Sequence, residues 1–144
     1  MTACATELDQ RSAQQLIAHA SSYAAQHHAR GGAIALVDAG GHLVALLRLD
    51  GSFPAAADVA ISKARTAALF RQPTRAFEEI IGKGRTAMLA VAAVADFTPL
   101  QGGVPLIRAG VTVGAIGVSG ADSAAQDADI ALAVAGAYAA GELP

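Results

Sequence analysis

Apolar residues recur along this chain in two rhythms. Between residue 9 and about residue 29, Ala13, Leu16, Ile17, Ala20 and Ala24 keep the 3.6-residue spacing of an amphipathic helix. Asp9 or Thr6 is placed to cap it and Gly31-Gly32 to close it. Two short apolar runs follow, residues 33–37 and 42–49, joined by Asp38-Ala39-Gly40-Gly41, and this pattern predicts a hairpin. Pro54 suits the first turn of a helix that runs through Ala60, Ile61, Ala64 and Ala68 to about Phe70, and Pro73 ends that element. Thr74 can cap a short helix over 75–81 that stops at Gly82-Lys83-Gly84. Residues 88–94 are apolar throughout, so periodicity leaves them open between a buried helical turn and a strand.

The segment from Gly102 to Asp127 organises the rest. Its runs 104–107 and 111–118 are rich in β-branched residues and flank Arg108-Ala109-Gly110, a second predicted hairpin. Gly114 and Gly117 lie inside its second strand, where glycine contributes no packing side chain and marks a bulge or the close approach of another group. Ser119-Gly120-Ala121-Asp122-Ser123 then supplies capping residues for a last helix reaching Ala140. Hairpins clustered between helices imply an antiparallel sheet with helices packed on it, an α+β fold.

Composition narrows the function classes. With 144 residues and no linker-like or charge-run break, a single domain over residues 1–144 is expected. The chain is 53% hydrophobic and 15% charged, so little charge is available to cover a monomer, and a homo-oligomer is expected. A net charge of −2 gives no basic footprint for nucleic acid. Neither an export signal nor a membrane-spanning run is visible, which makes the cytoplasm the expected location. Cys4, the one cysteine, excludes an internal disulfide and a zinc site built on cysteine pairs.

Four blocks in order carry a resemblance: IALVDAGGHLVALLRLDG from Ile34, SKARTAALF from Ser62, FEEIIGKGRTA from Phe77, and GGVPLIRAGVTVGAIGVSG from Gly102 followed by AQDADIA. Together they resemble the small GlcG/HbpS-like proteins, a family that includes the C-terminal domain of PduO-type proteins. The resemblance covers nearly the whole chain. It implies a profilin-like α+β fold, an antiparallel sheet of about five strands flanked by helices, and assembly into dimers or larger rings. It also implies haem as a ligand.

Haem asks for an axial ligand, an apolar slot and cations or hydroxyls for its propionates. His19 and His27 are separated by about 12 Å along one helix and cannot share a metal. His28 and His42 are the candidate haem ligands, the first beside a helix end and the second just after a hairpin turn, where a surface role explains each equally well.

A second reading is a cofactor-independent isomerase, lyase or hydrolase of a small carboxylate. Glu78 and Glu79 fall in the first turn of the short helix, where acids suit the helix dipole. Glu79 is the candidate acid/base, with Lys63 and Arg85 as further catalytic groups and Arg48 as a carboxylate clamp. A solvated lysine is the ordinary alternative for Lys63, and an ion pair with Asp50 the alternative for Arg48. Asp38, Thr66, Gly102, Gly103 and Ser119 complete the candidate ligand-binding set: Thr66 shares a helix face with Lys63, and Gly102-Gly103 exposes backbone N–H groups. Asp127, one turn into the last helix, is placed to lock that helix to the glycine-bearing strands. A third reading is a non-catalytic sensor or accessory protein whose ligand modulates a partner.

Overall fold

A computed structural model describes residues 7–143; Cys4 and the alternative cap Thr6 lie outside them. The elements follow the order α1 (Gln10–Gln26), β1 (Ala33–Asp38), β2 (Leu43–Arg48), α2 (Ala56–Phe70), α3 (Thr74–Gly82), a 3₁₀ helix (Thr86–Ala93), β3 (Gly103–Arg108), β4 (Val111–Ser119) and α4 (Ala124–Ala139). The four strands form one antiparallel sheet in the order β2-β1-β4-β3. The fold is α+β, with four strands among the described residues where the resemblance implied about five.

Strand alternation sends two different cores to the two sheet faces. Ile34, Leu36, Leu106, Ile116 and Val118 pack against α1 and α4 through Leu16, Ile130 and Val134. On the opposite face Ala33, Ala35, Val37 and Ala115 meet Ala56, Ala60, Ala64, Ala67 and Ala68 of α2. Methyl groups set the spacing there, so α2 lies close to the sheet. Gly117 is where it comes closest, since a Cβ at that position would overlap the Ala60 carbonyl oxygen. Of the two uses the sequence leaves open for this glycine, a bulge or a close approach, the second holds: it is the seat of a helix.

The turns follow their chemistry. Asp9 caps α1 by accepting from Ser12 N at 2.7 Å, and Ser123 caps α4 by accepting from Gln126 N at 3.1 Å. The β3–β4 loop is the pair Ala109-Gly110, with φ of 51° and 77°, a type I′ turn whose twist suits a two-residue hairpin. Register shifts between Leu106 and Ile107, next to that turn. Arg108 clamps the end of α4: it stacks over the Tyr138 ring at 4.0 Å and donates through Nη2 to the Tyr138 and Leu143 carbonyls.

Some boundaries differ from the sequence expectation. α1 ends at Gln26 because His28 takes a left-handed φ of 59°, and α2 begins at Ala56, two residues after Pro54. Thr74 is the first residue of α3 and does not cap it; its hydroxyl accepts from Gly103 N at 2.9 Å and ties α3 to β3. Glu78 and Glu79 consequently sit in the second turn of α3, beyond the strongest part of the helix dipole. The open segment 88–94 is neither strand nor buried helix: residues 88–93 belong to a 3₁₀ helix with no buried residue, and Val94 follows its end.

Candidate functional sites at two ends of the sheet

The predicted residues separate into two groups and three outliers. The first group gathers where β4 ends, β3 begins and α2, α3 and α4 converge. Lys63 lies on the same buried face of α2 as Ala60, Ala64 and Ala67, with 3% of its surface exposed. Its Nζ donates to the Val118 carbonyl at 2.9 Å and to Asp127 Oδ2 at 3.3 Å. Asp127, also buried, uses its other oxygen to accept from Ala121 N at 2.9 Å, fixing the loop between β4 and α4. The expected locking role of Asp127 thus has a definite partner. Gly102 and Gly103 wall the lysine: a Cβ on Gly102 would stand 3.0 Å from Nζ, and one on Gly103 would overlap the Lys63 carbonyl. Ser119 is buried next to Val118. One turn along α2, Thr66 donates to the Ser62 carbonyl at 2.8 Å and accepts from Thr98 N at 2.9 Å.

Burial dominates the electrostatics of this pair. It pushes the Lys63 ammonium below its ordinary value, against the attraction of Asp127 and a smaller pull from Glu78. It pushes the Asp127 carboxyl up, against Lys63 and the loop amides. On α3 it is Glu78, half-buried, whose charge acts on Lys63. Glu79 instead accepts from Arg75 Nε at 3.0 Å on the exposed side of the helix.

The second group occupies the β1–β2 hairpin. Asp38 Oδ1 accepts from Gly40 N at 2.9 Å and from His42 N at 3.0 Å, which closes the turn. The same carboxylate lies 3.2 and 3.3 Å from His42 Nδ1. A carboxylate can only accept, so Nδ1 carries the proton it receives; in the neutral imidazole the lone pair then lies on Nε2, and the side chain is 82% exposed.

Register places Leu43, Leu46 and Arg48 opposite Val37, Ala35 and Ala33, hence on the α2 side of the sheet. α2 covers the central strands and leaves this part of edge strand β2 uncovered. Leu43 and Leu46 are exposed, and Leu69 of α2, also exposed, lies in contact range of Gly41 in the turn. The result is an apolar shelf of Leu43, Leu46 and Leu69 that carries Arg48 further along β2, with the Asp38–His42 pair in the adjoining turn. Among the described residues Arg48 forms no ion pair with Asp50.

The outliers are Glu79, Arg85 and His28. Arg85 is exposed at the start of the 3₁₀ helix, and His28 is exposed in the turn after α1. No group of three His, Cys, Asp or Glu side chains able to hold a metal ion is formed among the described residues.

The sequence model of a family described as haem degrading protein HbpS-like matches residues 8–136. The chain belongs to the HbpS-like family. This HbpS-like chain is 44% identical to Protein GlcG of Escherichia coli K12 over 112 residues, 78% of this chain and 81% of GlcG. A double mutant of Streptomyces reticuli HbpS shares 29% identity and a TM-score of 0.81, covering 94% of this chain and 89% of that one. The crystal structure of a PduOC–haem complex shares 26% identity and a TM-score of 0.80, covering 92% and 95%.

In this HbpS-like chain the sequence reading left Asp127 and the shelf leucines Leu43, Leu46 and Leu69 out of the candidate site. Asp127 shares the face of α4 that carries Ala131, Val134 and Tyr138, all buried, so its spacing marked it as a buried acid in need of a cation. Leu69 carried no such signal, because an apolar residue on a helix that packs on a sheet is ordinarily read as core.

Proposed function

We propose that this chain binds haem on the shelf between α2 and β2, with His42 as the axial ligand. The carrying observation is the His42–Asp38 pair: a carboxylate holds Nδ1 and leaves Nε2 free and exposed, the arrangement by which proteins orient a metal-binding imidazole. The surroundings fit the group. Leu43, Leu46 and Leu69 offer apolar contact for a macrocycle, and Arg48 offers a fork for a propionate. Membership of the HbpS-like family and likeness to a domain solved with haem support the same reading. The open side of the shelf suits a haem held near a subunit contact. When bound, haem would supply a redox-active iron; the chain's own part is to orient the imidazole and shield one face of the ring.

The small-carboxylate reading has weaker support. Glu79 is engaged by Arg75, Lys63 by Val118 and Asp127, and Arg85 and Arg48 stand on different elements. No shared centre for a substrate emerges from these positions.

The test is an absorbance titration of the full chain with haemin. Wild type is expected to saturate near one haem per chain with a shifted Soret band. His42→Ala abolishes that saturable phase, His28→Ala leaves it unchanged, and Arg48→Ala weakens it about tenfold. Saturation of His42→Ala indistinguishable from wild type would overturn the assignment.

A further inference from the structure

The β1–β2 turn holds its carboxylate and its imidazole very differently. The main chain fixes Asp38 without any help from the ring. Its Oδ1 accepts from Gly40 N at 2.9 Å and from His42 N at 3.0 Å. Its own backbone donates to the His42 carbonyl at 2.9 Å and accepts from Gly41 N at 3.0 Å. The Asp38 side chain is 18% exposed against 82% for His42. A sheltered, immobile charge therefore touches an open ring, and water screens their interaction less than it screens a pair that is exposed on both sides.

Gly40 completes the seat of the ring. A Cβ there would stand 3.0 Å from His42 Cε1, 3.1 Å from Nδ1 and 3.4 Å from Asp38 Oδ1. Its backbone does not require glycine, since its φ lies outside the left-handed range that Gly41 takes at 82°. What the missing side chain provides is room for the imidazole against the carboxylate. Other charges leave the pair alone: among the described residues Asp38 and His42 form ion pairs only with each other. From α2, Leu69 brings apolar contact to Gly41.

We propose that Asp38 and Gly40 are positioning residues that fix His42 in its Nδ1–H tautomer and make Nε2 an electron-rich ligand, so that haem on this chain is held preferentially in the ferric state. The inference rests on His42 as the axial ligand. A carboxylate that accepts the Nδ1 proton raises the basicity of the opposite nitrogen, and a stronger donor favours the more highly charged iron. Gly40 keeps the ring within reach of that carboxylate. Asp38→Asn separates the two duties of the residue. The asparagine oxygen still accepts from both backbone amides, but its nitrogen then faces the ring and can only donate. That contact demands the lone pair on Nδ1 and moves the proton to Nε2.

The test has two readouts, the first made without haem. Ring-nitrogen NMR of the full chain with neutral imidazoles, assigned by His42→Ala, is expected to show Nδ1–H in wild type, Nε2–H in Asp38→Asn and a mixture in Gly40→Ala. Far-UV circular dichroism stays unchanged in all of them. The second readout is the midpoint potential of the chain saturated with haemin. Asp38→Asn is expected to bind haemin about tenfold more weakly and to raise the potential by about 60 mV, a tenfold change in ferric preference for a one-electron couple. Gly40→Ala shifts it in the same direction, and His28→Ala, outside the turn, moves neither readout. An Asp38→Asn chain that keeps the Nδ1–H tautomer, or loaded variants with the wild-type potential, would overturn the proposal and leave haem binding standing. A wild type without saturable haemin uptake would instead sink the haem reading, and the ferric preference with it, even where the tautomers behave as expected.

Discussion

Replacing Lys63 by alanine leaves the Asp127 carboxylate buried without its cation, at an expected cost of about 3–5 kcal/mol in urea-unfolding free energy. Lys63→Met/Asp127→Leu removes both charges and should recover most of that loss. It falls short by about 1–3 kcal/mol, because the Ala121 amide loses its acceptor.

The pH dependence has a definite sign. The native Lys63 value lies below the ordinary 10.5, so the unfolded chain binds that proton more tightly, and stability rises as pH climbs from the native value to 10.5. The native Asp127 value lies above 3.8, so stability rises as pH falls from that value to 3.8. Plotted against pH, wild-type stability relative to the double variant should be bowl-shaped; a dome would contradict the burial-dominated electrostatics. The sequence made Lys63 a solvated lysine by default because its partner lies 64 positions away, a separation no local pattern reports. Glu79 was chosen over Glu78 for the same reason: which glutamate is half-buried and which is left exposed depends on where α3 docks.

At the scale of elements, the contact between α2 and β4 and the β3–β4 turn are the sharpest places to intervene. Gly117→Ala drives a methyl group into the Ala60 carbonyl and should cost about 1–3 kcal/mol, seen as a lower denaturation midpoint. Ala109→Asn should have the opposite effect. Alanine holds φ of 51° there without the local hydrogen bonding that lets asparagine tolerate it, so the variant is expected to gain about 0.5–1 kcal/mol in the same assay. Both hairpins were legible because turn chemistry and β-branched runs are local signals, and Gly117 announced a close approach because a glycine inside a strand has few other uses. Residues 88–94 were not legible. Uniform apolarity carries no period, and the Phe70–Phe77–Phe97 contacts that fix the segment come from three separate elements.

Across the whole molecule, two exposed apolar surfaces belong to different elements, the shelf at β2 and the 3₁₀ helix. The α+β class followed from the order of helices and hairpins. Which apolar runs stay exposed did not follow, because sequence alone does not say which of them the fold leaves uncovered. The alanine-lined seat of α2 has a mechanical consequence as well. With alanine methyls, Val37 and a glycine lining the seat, and the buried Lys63 pinned by Val118 and Asp127, that interface has few rotamers that can absorb sliding, and α2 moves with the sheet as one rigid body. Compliance is left to α1 and α4, whose larger leucine, isoleucine and valine contacts can re-seat. Any strain introduced by a guest at the hairpin should therefore be relayed along α2 as displacement, and dissipated on the other side of the sheet.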